Sequence, residues 1–245
     1  MPGPISMPMP QKKNGKKASV AVRAVRPLVV TLVFLPAMLF IPAGTVHFWQ
    51  GWALIAVTFS AQVFTIVYFL RRDPQVLARR LIREEPRGAQ KLVIFFLKVF
   101  FTVSLILAAR DFKHGWTREQ FGDGALPWWI SVAALVVIVR ADIWFIAVLI
   151  ANRFAASVIQ VESGQPIAAS GPYRFMRHPI YTGGIVRWLA TPLVLGSIVT
   201  VPAFCLIIPV LAARLLLEEQ FLKRELPGYV EYCQKTRWRL VPWIW

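Results

Sequence analysis

Long apolar runs separated by short charged loops dominate the chain. A helix that crosses a bilayer needs about 20 mostly apolar residues, and backbone polar groups inside lipid must be paired within the segment. The short alternating strands of a membrane barrel are absent. The pattern therefore predicts an all-α integral membrane protein with about 5–6 transmembrane helices, the last two forming a C-terminal helical hairpin. The runs are residues 25–43, 48–70, 92–109, 128–151, 179–195 and 199–217.

The segment before the first run is rich in proline and lysine, and residues 1–24 are predicted to form a disordered basic tail. A basic region followed by an apolar run also resembles a signal peptide. The basic region is long for that purpose, however, and no clear A-x-A cleavage site follows the apolar run. The first run is therefore interpreted as an uncleaved span.

Charge is distributed very unevenly between the loops. The chain is 57% hydrophobic, yet its formal net charge is +16. Of its lysines and arginines, 22 fall in the N-terminal tail, the 71–91 loop, the 152–178 loop and the C-terminal part, against only three in the opposite loops. Positive loops stay in the cytoplasm, so both termini and the 152–178 loop are expected there. The basic excess is then a topology signal and a contact with anionic lipid, and no nucleic-acid partner is expected.

The chain carries few of the residues that build metal sites or soluble nucleotide-binding sites. Its two cysteines lie in different parts of the chain, Cys205 within a predicted span and Cys233 in the tail. Neither a Cys-rich cluster nor an HExxH motif is present, so no metal site is predicted. No GxGxxG or Walker loop occurs either.

A polar, proline-broken stretch, SGPYRFMRHPIYTGGIV at 170–186, directly precedes the fifth apolar run. Proline is favoured at the first helical position, which predicts a helix starting at Pro179 with His178 at its cap. A helix N-terminus is partly positive and binds anions, and Arg177 would add to that character. Tyr181 lies one turn further on. The alternative is that this stretch has no ligand. Tyr181 would then be an aromatic residue at the membrane interface, Gly183 would allow helix packing, and Arg177 would only set the membrane orientation.

Two charged residues lie at the end of the last run. Arg214 and Glu218 are four residues apart, so they share a helix face. The ordinary interpretation is a surface ion pair worth about 0.3–0.5 kcal/mol. A guanidinium also binds a carboxylate or a lipid phosphate in a forked geometry, so the pair alone does not identify a substrate.

Two further charges lie deep within predicted spans. Arg187 is about 12 Å into its helix and Asp142 about 15 Å from the same face, at 1.5 Å per residue. Ionisable residues at such depth face the bundle interior and pair, which predicts an Asp142–Arg187 pair. Arg140 competes for Asp142 but, two residues away on one helix, faces the wrong side.

The strings GPYRFMRHPIYTG and RLLLEEQFLKRELPGYVEYCQKTRWRLVPWIW carry a family resemblance. They resemble the two motifs of the isoprenylcysteine carboxyl methyltransferase family, which is related to the phospholipid methyltransferases. The resemblance covers about residues 150–245. It implies a methyltransferase core over 152–245, made of a cofactor loop, the hairpin and a cytoplasmic tail. The apolar runs predict N-terminal transmembrane helices over 25–151. The step LPGY departs from the family pattern and leaves the alignment within 220–228 open by a residue or two.

The resemblance also implies a cofactor, S-adenosylmethionine, and residues that hold it in a cytoplasmic pocket. Its carboxylate suits the helix start, its ammonium a glutamate, and its sulfonium an aromatic face. Arg214 and Glu218 are the implied catalytic residues, with Arg214 addressing the acceptor and Glu218 the cofactor. The implied cofactor-binding residues are Gln160, Gln165, Ile167, Ala168, Tyr173, His178, Pro179, Ile180, Tyr181, Glu218 and Glu219.

The acceptor implied is a lipid or lipidated molecule from the bilayer, above all the carboxylate of a C-terminal isoprenylcysteine. A phospholipid amine and a small thiol remain open as acceptors. A sterol-reductase-like enzyme using NADPH carries a similar His-x-x-Tyr pattern, and a membrane scaffold without activity is the third alternative. Methyl transfer to a carboxylate needs alignment more than a base, because the carboxylate is already deprotonated.

Overall fold

The computed structural model describes residues 12–82, 88–122 and 126–245. Within those ranges all regular structure is helical, which confirms the all-α prediction. The elements are α1 (Lys12–Ala43), α2 (Trp49–Arg72), α3 (Pro74–Arg80), α4 (Gly88–His114), α5 (Trp116–Phe121), α6 (Trp128–Ala151), a 3-10 turn (Gly171–Arg174), α7 (Pro179–Val194), α8 (Val201–Cys205), α9 (Ile207–Glu225) and α10 (Tyr229–Lys235).

Five helical stretches in the described ranges are long and apolar enough to cross a membrane, in agreement with the prediction of 5–6. The fifth predicted run became α7, whose 16 residues span only about 24 Å, less than the ~30 Å hydrocarbon core. The sixth run became α8 and α9, which together extend to Glu225. The five stretches are Ser19–Ala43, Trp49–Arg72, Gln90–His114, Trp128–Ala151 and Val201–Glu225.

The first helix begins before its apolar run. The tail predicted to be disordered, residues 1–24, overlaps α1, which is helical from Lys12 onward, and residues 1–11 lie outside the described ranges. Lysine and alanine are good helix formers, so they extend a helix that the apolar run nucleates. Val20 and Ala24 also pack into a hydrophobic cluster with residues of α2 and α3, which stabilises this extension.

The charged loops gather at one end of the bundle. There, Val20 of α1, Phe69 at the end of α2, Leu77 of α3 and Leu149 at the end of α6 form one buried cluster, with Ile180 of α7 packed against it. The described parts of the 71–91 and 152–178 loops therefore meet on the same side, as the charge pattern predicts. Arg83 and Arg87 of that pattern lie outside the described residues.

At the opposite end a buried carboxylate ties three connections together. Asp111 of α4 accepts hydrogen bonds from the backbone N–H and hydroxyl of Thr117 and from the hydroxyl of Ser197. This network joins the loop after α7 to the α4–α5 turn. This polar network thus closes the bundle at the end opposite the charged loops.

Helices α6 and α7 pack closely against each other. A Cβ added at Gly183 would lie 2.8 Å from Cδ1 of Trp144, so only glycine fits against this indole. The Trp144 Nε1 donates to the Pro179 carbonyl at 2.8 Å. Gly184 has open space at its Cβ position. Gly183 is therefore explained by packing, whereas Gly184 leaves room beside the helix.

The predicted Asp142–Arg187 pair is present. Arg187 Nη1 donates to both carboxylate oxygens of Asp142 at 2.6 Å, and its Nη2 donates to Thr58 Oγ1 at 2.7 Å. The pair joins α6 to α7 and the hydroxyl adds α2. A charge at this depth is costly in lipid, and this pairing offsets that cost.

Asp142→Asn and Arg187→Gln are expected to lose stability non-additively. Contacting charged residues couple by about 0.5–3 kcal/mol, so the double variant should be less destabilised than the two single losses added together. Equilibrium unfolding of the detergent-solubilised variants measures the cycle. The exposed Arg140→Gln, combined with Asp142→Asn, is the matched control and should be additive. Additive losses for Asp142 and Arg187 would contradict the pairing.

Candidate active site

A cavity of about 450 Å³ opens among α6, α7, α9 and the loop that follows α6. It is named here the polar cavity. Arg214 and Glu218 lie on its wall together with five of the other predicted residues, so the structure brings the two sequence motifs to one place. The predicted residues on its wall are Gln160, Gln165, Tyr173, Ile180, Tyr181, Arg214 and Glu218.

The start of α7 is fastened to the C-terminal segment. The backbone N–H groups of Arg177 and His178 donate to the carbonyls of Trp238 and Arg239, each at 2.9 Å. Pro179 is the first helical residue and His178 precedes it, as predicted, although the imidazole makes no capping hydrogen bond. The N–H groups of Tyr181 and Thr182 return to the His178 carbonyl. The helix start is thus rigidly placed beside the polar cavity.

The Glu219 carboxylate occupies the space between α9, α7 and the tail. It accepts from Arg177 Nε at 2.7 Å and from Arg239 Nε at 3.0 Å, and His178 Nε2 lies 3.3 Å from it. Glu219 is only 2% exposed and the polar cavity wall does not include it. Its carboxylate oxygens therefore have a structural role, since they bind side chains of α7 and the tail. Of the two glutamates predicted for the cofactor ammonium, Glu218 is the one that faces the cavity.

Glu218, Tyr181 and Arg214 form a hydrogen-bonded chain along the cavity wall. The Tyr181 hydroxyl donates to Glu218 Oε2 at 2.5 Å and accepts from Arg214 Nε at 3.1 Å. The tyrosine therefore separates the arginine from the glutamate. The surface ion pair considered from the sequence is not formed, and both charged groups keep capacity for other partners.

Two residues that the motifs did not indicate hold the rest of the Arg214 guanidinium. Nη1 donates to Gln90 Oε1 at 3.0 Å, and Nη2 donates to the Ser157 carbonyl at 2.9 Å. Gln90 is 2% exposed and comes from the first turn of α4. Its sequence signal is weak, a single uncharged polar side chain at the start of an apolar run. The structure shows that the N-terminal half of the chain also builds the site.

An ion pair clamps the predicted cofactor loop to α3. Arg79 Nε and Nη2 donate to the two Glu162 oxygens at 2.6 and 2.7 Å. These hydrogen bonds hold the pKa of Glu162 below its usual range and raise that of Arg79. The Glu162 N–H donates to Gln165 Oε1 at 3.1 Å. Contacts within the protein thereby hold the loop that carries Gln160 and Gln165 in place.

Tyr173 lies at the base of the loop and is almost fully buried. Its hydroxyl accepts from Asn152 Nδ2 at 3.3 Å, and its carbonyl accepts from the Tyr232 hydroxyl at 2.7 Å. Burial raises the pKa of Tyr173, and burial also raises that of Tyr232 to about 12. Both phenols are therefore neutral at physiological pH, with their rings available for packing.

A smaller pocket of about 70 Å³ adjoins the polar cavity and holds further predicted residues. Gln165, Tyr173, Ile180 and Glu218 belong to both walls. The tail contributes Tyr229 and Tyr232 from α10 to this pocket. The predicted residues found on this wall but not on the polar cavity are Ile167, Ala168 and His178.

A second large cavity lies within the helix bundle. This bundle cavity of about 490 Å³ is lined mainly by apolar side chains of α1, α2, α4 and α7, among them Leu35, Leu54 and Trp188. It shares one stretch of wall with the polar cavity. The residues common to both walls are Arg80, Asp142, Phe145 and Arg187.

Over residues 12–82, 88–122 and 126–245, no group of three or more His, Cys, Asp or Glu side chains could hold a metal ion. Glu218 can bind a cation, Arg214 can bind an anion, and the amides of Gln160 and Gln165 can exchange hydrogen bonds with a polar ligand. The polar cavity can therefore bind a small polar molecule next to an anionic one.

Known proteins resemble this chain at the level of sequence. The phospholipid methyltransferase family model matches residues 128–227, which contain α6, the loop, α7 and α9. The protein-S-isoprenylcysteine O-methyltransferase B of Arabidopsis thaliana is 31% identical over 180 residues, 71% of this chain and 89% of that protein. The solved eukaryotic intramembrane Ras methyltransferase, an isoprenylcysteine carboxyl methyltransferase, is 13% identical over 94% of each chain with a TM-score of 0.46, too low to carry a structural argument.

The adjacent glutamates are expected to fail differently. Glu219→Gln leaves the buried Arg177 guanidinium and the half-buried Arg239 guanidinium without their carboxylate and should cost about 3–5 kcal/mol, as breaking a buried ion pair does. Glu218→Gln keeps an acceptor for Tyr181 and should cost on the order of 1 kcal/mol. Thermal unfolding of the two purified variants measures this. Equal destabilisation by both would show that Glu219 is not the structural carboxylate.

Proposed function

The chain belongs to the isoprenylcysteine carboxyl methyltransferase family, and from that membership we propose that it uses S-adenosylmethionine to methylate the carboxylate of a prenylated cysteine. That it is a membrane methyltransferase follows from the sequence relatives. The methyl donor and the acceptor are the proposed part. The observation that carries the proposal is the junction of a polar cavity with a largely apolar one at four shared residues.

The polar cavity suits the donor in size and in chemistry. Its volume of about 450 Å³ falls in the range of small-molecule sites. S-adenosylmethionine supplies a methyl group on a positively charged sulfur. Glu218 offers a carboxylate for the ammonium, and the rings of Tyr173 and Tyr181 offer faces for the cationic sulfur. Gln160 and Gln165 offer amide donors and acceptors for the adenosine.

Fewer groups at the start of α7 are available to the donor carboxylate than the sequence suggested. The side chains of Arg177 and His178 contact Glu219 and are not available to a ligand. What remains at that position is the partial positive charge of the helix end, at Pro179 and Ile180. We assign the donor carboxylate to this helix end and give Arg177 a structural role.

The acceptor is proposed to enter from the bilayer. The bundle cavity offers apolar surface for a prenyl chain, and the polar cavity offers Arg214 for the acceptor carboxylate. A carboxylate is already ionised and needs only alignment with the methyl group, so no general base is required. Arg214 fits this purpose, since three neutral oxygen atoms fix its guanidinium in place.

Methylation of a phospholipid amine is the second candidate, because the phospholipid methyltransferase model matches residues 128–227. An amine must lose a proton before or during transfer. Of the two carboxylates on the polar cavity wall, Asp142 is paired with Arg187, and Glu218 is assigned to the donor ammonium. This favours the carboxylate acceptor. A thiol acceptor and NADPH chemistry have no comparable observation in their favour.

The site is proposed to face the cytoplasm. The loops that carry it gather at the end of the bundle where the excess positive charge lies, and positive loops remain cytoplasmic. A water-soluble donor then arrives from the cytoplasm and a lipidated acceptor from within the membrane. Both termini share this orientation in the proposal.

Glu218→Gln and Arg214→Ala are expected to separate donor binding from transfer. The first should weaken S-adenosylmethionine binding by about 1.5–3 kcal/mol, the loss of a hydrogen bond to a charged group. The second should leave donor affinity nearly unchanged and abolish transfer, because the acceptor is no longer aligned. Calorimetry on the detergent-solubilised proteins gives the first quantity and a methyl-transfer assay the second. If wild-type protein bound no S-adenosylmethionine, the proposed function would be wrong. If Arg214→Ala weakened the donor as Glu218→Gln does, only the division of roles would be wrong.

A further inference from the structure

Arg80 lies where the two cavities meet. It is the last residue of α3 and one of the four residues that line both the bundle cavity and the polar cavity. Its Nη1 donates to the Ala156 carbonyl at 2.8 Å, and its own carbonyl accepts from the Ser157 hydroxyl. The guanidinium lies 5.2 Å from the centroid of the Phe145 ring. Contacts on both sides therefore hold the side chain at the junction.

Arg80 differs from most arginines around it in having no carboxylate partner. Arg79 pairs with Glu162, Arg153 with Asp73, and Arg187 with Asp142. Over residues 12–82, 88–122 and 126–245, no carboxylate lies within ion-pair distance of Arg80 or of Arg214. Guanidinium groups with little exposure are normally paired with a carboxylate, so two that lack such a partner beside one cavity make that cavity suitable for an anion.

The electrostatics of Arg80 point the same way. Burial lowers its pKa from the ordinary arginine value, and the like charge of Arg214 lowers it further. An arginine nevertheless remains protonated, so the charge stays. The Glu218 carboxylate acts on Arg80 in the opposite direction, but it makes no ion pair with it. An anion bound between Arg80 and Arg214 would offset the repulsion between the two guanidinium groups.

Counting the charges on the polar cavity wall gives the sign of the ligand. Three arginines, Arg80, Arg187 and Arg214, face two carboxylates, Asp142 and Glu218, which leaves one net positive charge. S-adenosylmethionine brings a further net positive charge, from its sulfonium and ammonium against one carboxylate. A site occupied by the donor thus attracts an anionic acceptor and disfavours a cationic one.

We propose that Arg80 is a specificity-determining residue, which binds the anionic headgroup of the acceptor at the junction of the two cavities. The acceptor class that follows is an amphiphile with an apolar chain in the bundle cavity and a carboxylate between Arg80 and Arg214. This inference rests on the proposed function and adds to it a residue that lies in neither sequence motif. Arg80 selects the acceptor and leaves donor binding to Glu218.

The test compares a carboxylate ligand with its uncharged counterpart. N-acetyl-S-farnesylcysteine and its carboxamide are titrated against the S-adenosylmethionine-loaded wild-type protein and against Arg80→Gln, Arg80→Lys and Arg72→Gln. Arg72 is exposed and lies outside both cavities, so its variant removes the same charge nearby without touching the junction. Donor affinity and thermal unfolding are measured on each variant.

Wild-type protein and Arg72→Gln should bind the carboxylate about tenfold to a hundredfold more tightly than the carboxamide, the range for hydrogen bonds to a charged group. Arg80→Gln should lose most of that preference with unchanged donor affinity, and Arg80→Lys should restore part of it. A wild-type protein that binds both ligands equally would overturn the inference, even if Arg80→Gln does not fold. So would an Arg80→Gln variant that keeps the preference. If the wild-type protein did not bind S-adenosylmethionine, the proposed function itself would be refuted.

Discussion

The buried carboxylate of Glu219 is the interaction on which the site depends. It binds Arg177 and His178 at the start of α7 and Arg239 in the tail, while its own helix presents Glu218 and Arg214 to the polar cavity. One side chain thereby fixes the relative positions of α7, α9 and the C-terminal segment. Without it, Arg177 and Arg239 would lose their carboxylate partner, and the elements that carry the site would lose the ion pairs that join them.

The position of the cavities follows from this arrangement. Because α7 begins at Pro179 and is too short to span the hydrocarbon core, its polar start lies at one end of the bundle, next to the loop after α6. Close packing at Gly183 brings α6 against α7, and Asp142 and Arg187 are buried where they meet. Their shared wall joins a water-accessible polar cavity to a cavity inside the bundle. A methyltransferase that combines a soluble donor with a membrane-borne acceptor requires such a connection.

The sequence predicted the parts of the structure that depend on local pattern. Apolar run length predicted the membrane helices, Pro179 predicted the start of α7, and depth along two helices predicted the Asp142–Arg187 pair, which is confirmed. It could not predict which of two adjacent glutamates faces the cavity, because a rotation of about 100° per residue separates them and only tertiary packing sets the helix phase. It also missed Gln90 and Arg80, which reach the site from the N-terminal half through long-range contacts.

The most direct test of the central claim is the identity of the methylated product. Wild-type protein in mixed micelles would receive methyl-labelled S-adenosylmethionine with equal amounts of a prenylcysteine bearing a free carboxylate and of phosphatidylethanolamine. Mass spectrometry then identifies the labelled molecule. A carboxyl methyl ester of the prenylcysteine is the expected product, because the two unpaired arginines favour an anionic acceptor. Label found only on the phospholipid nitrogen, or on neither acceptor, would contradict it.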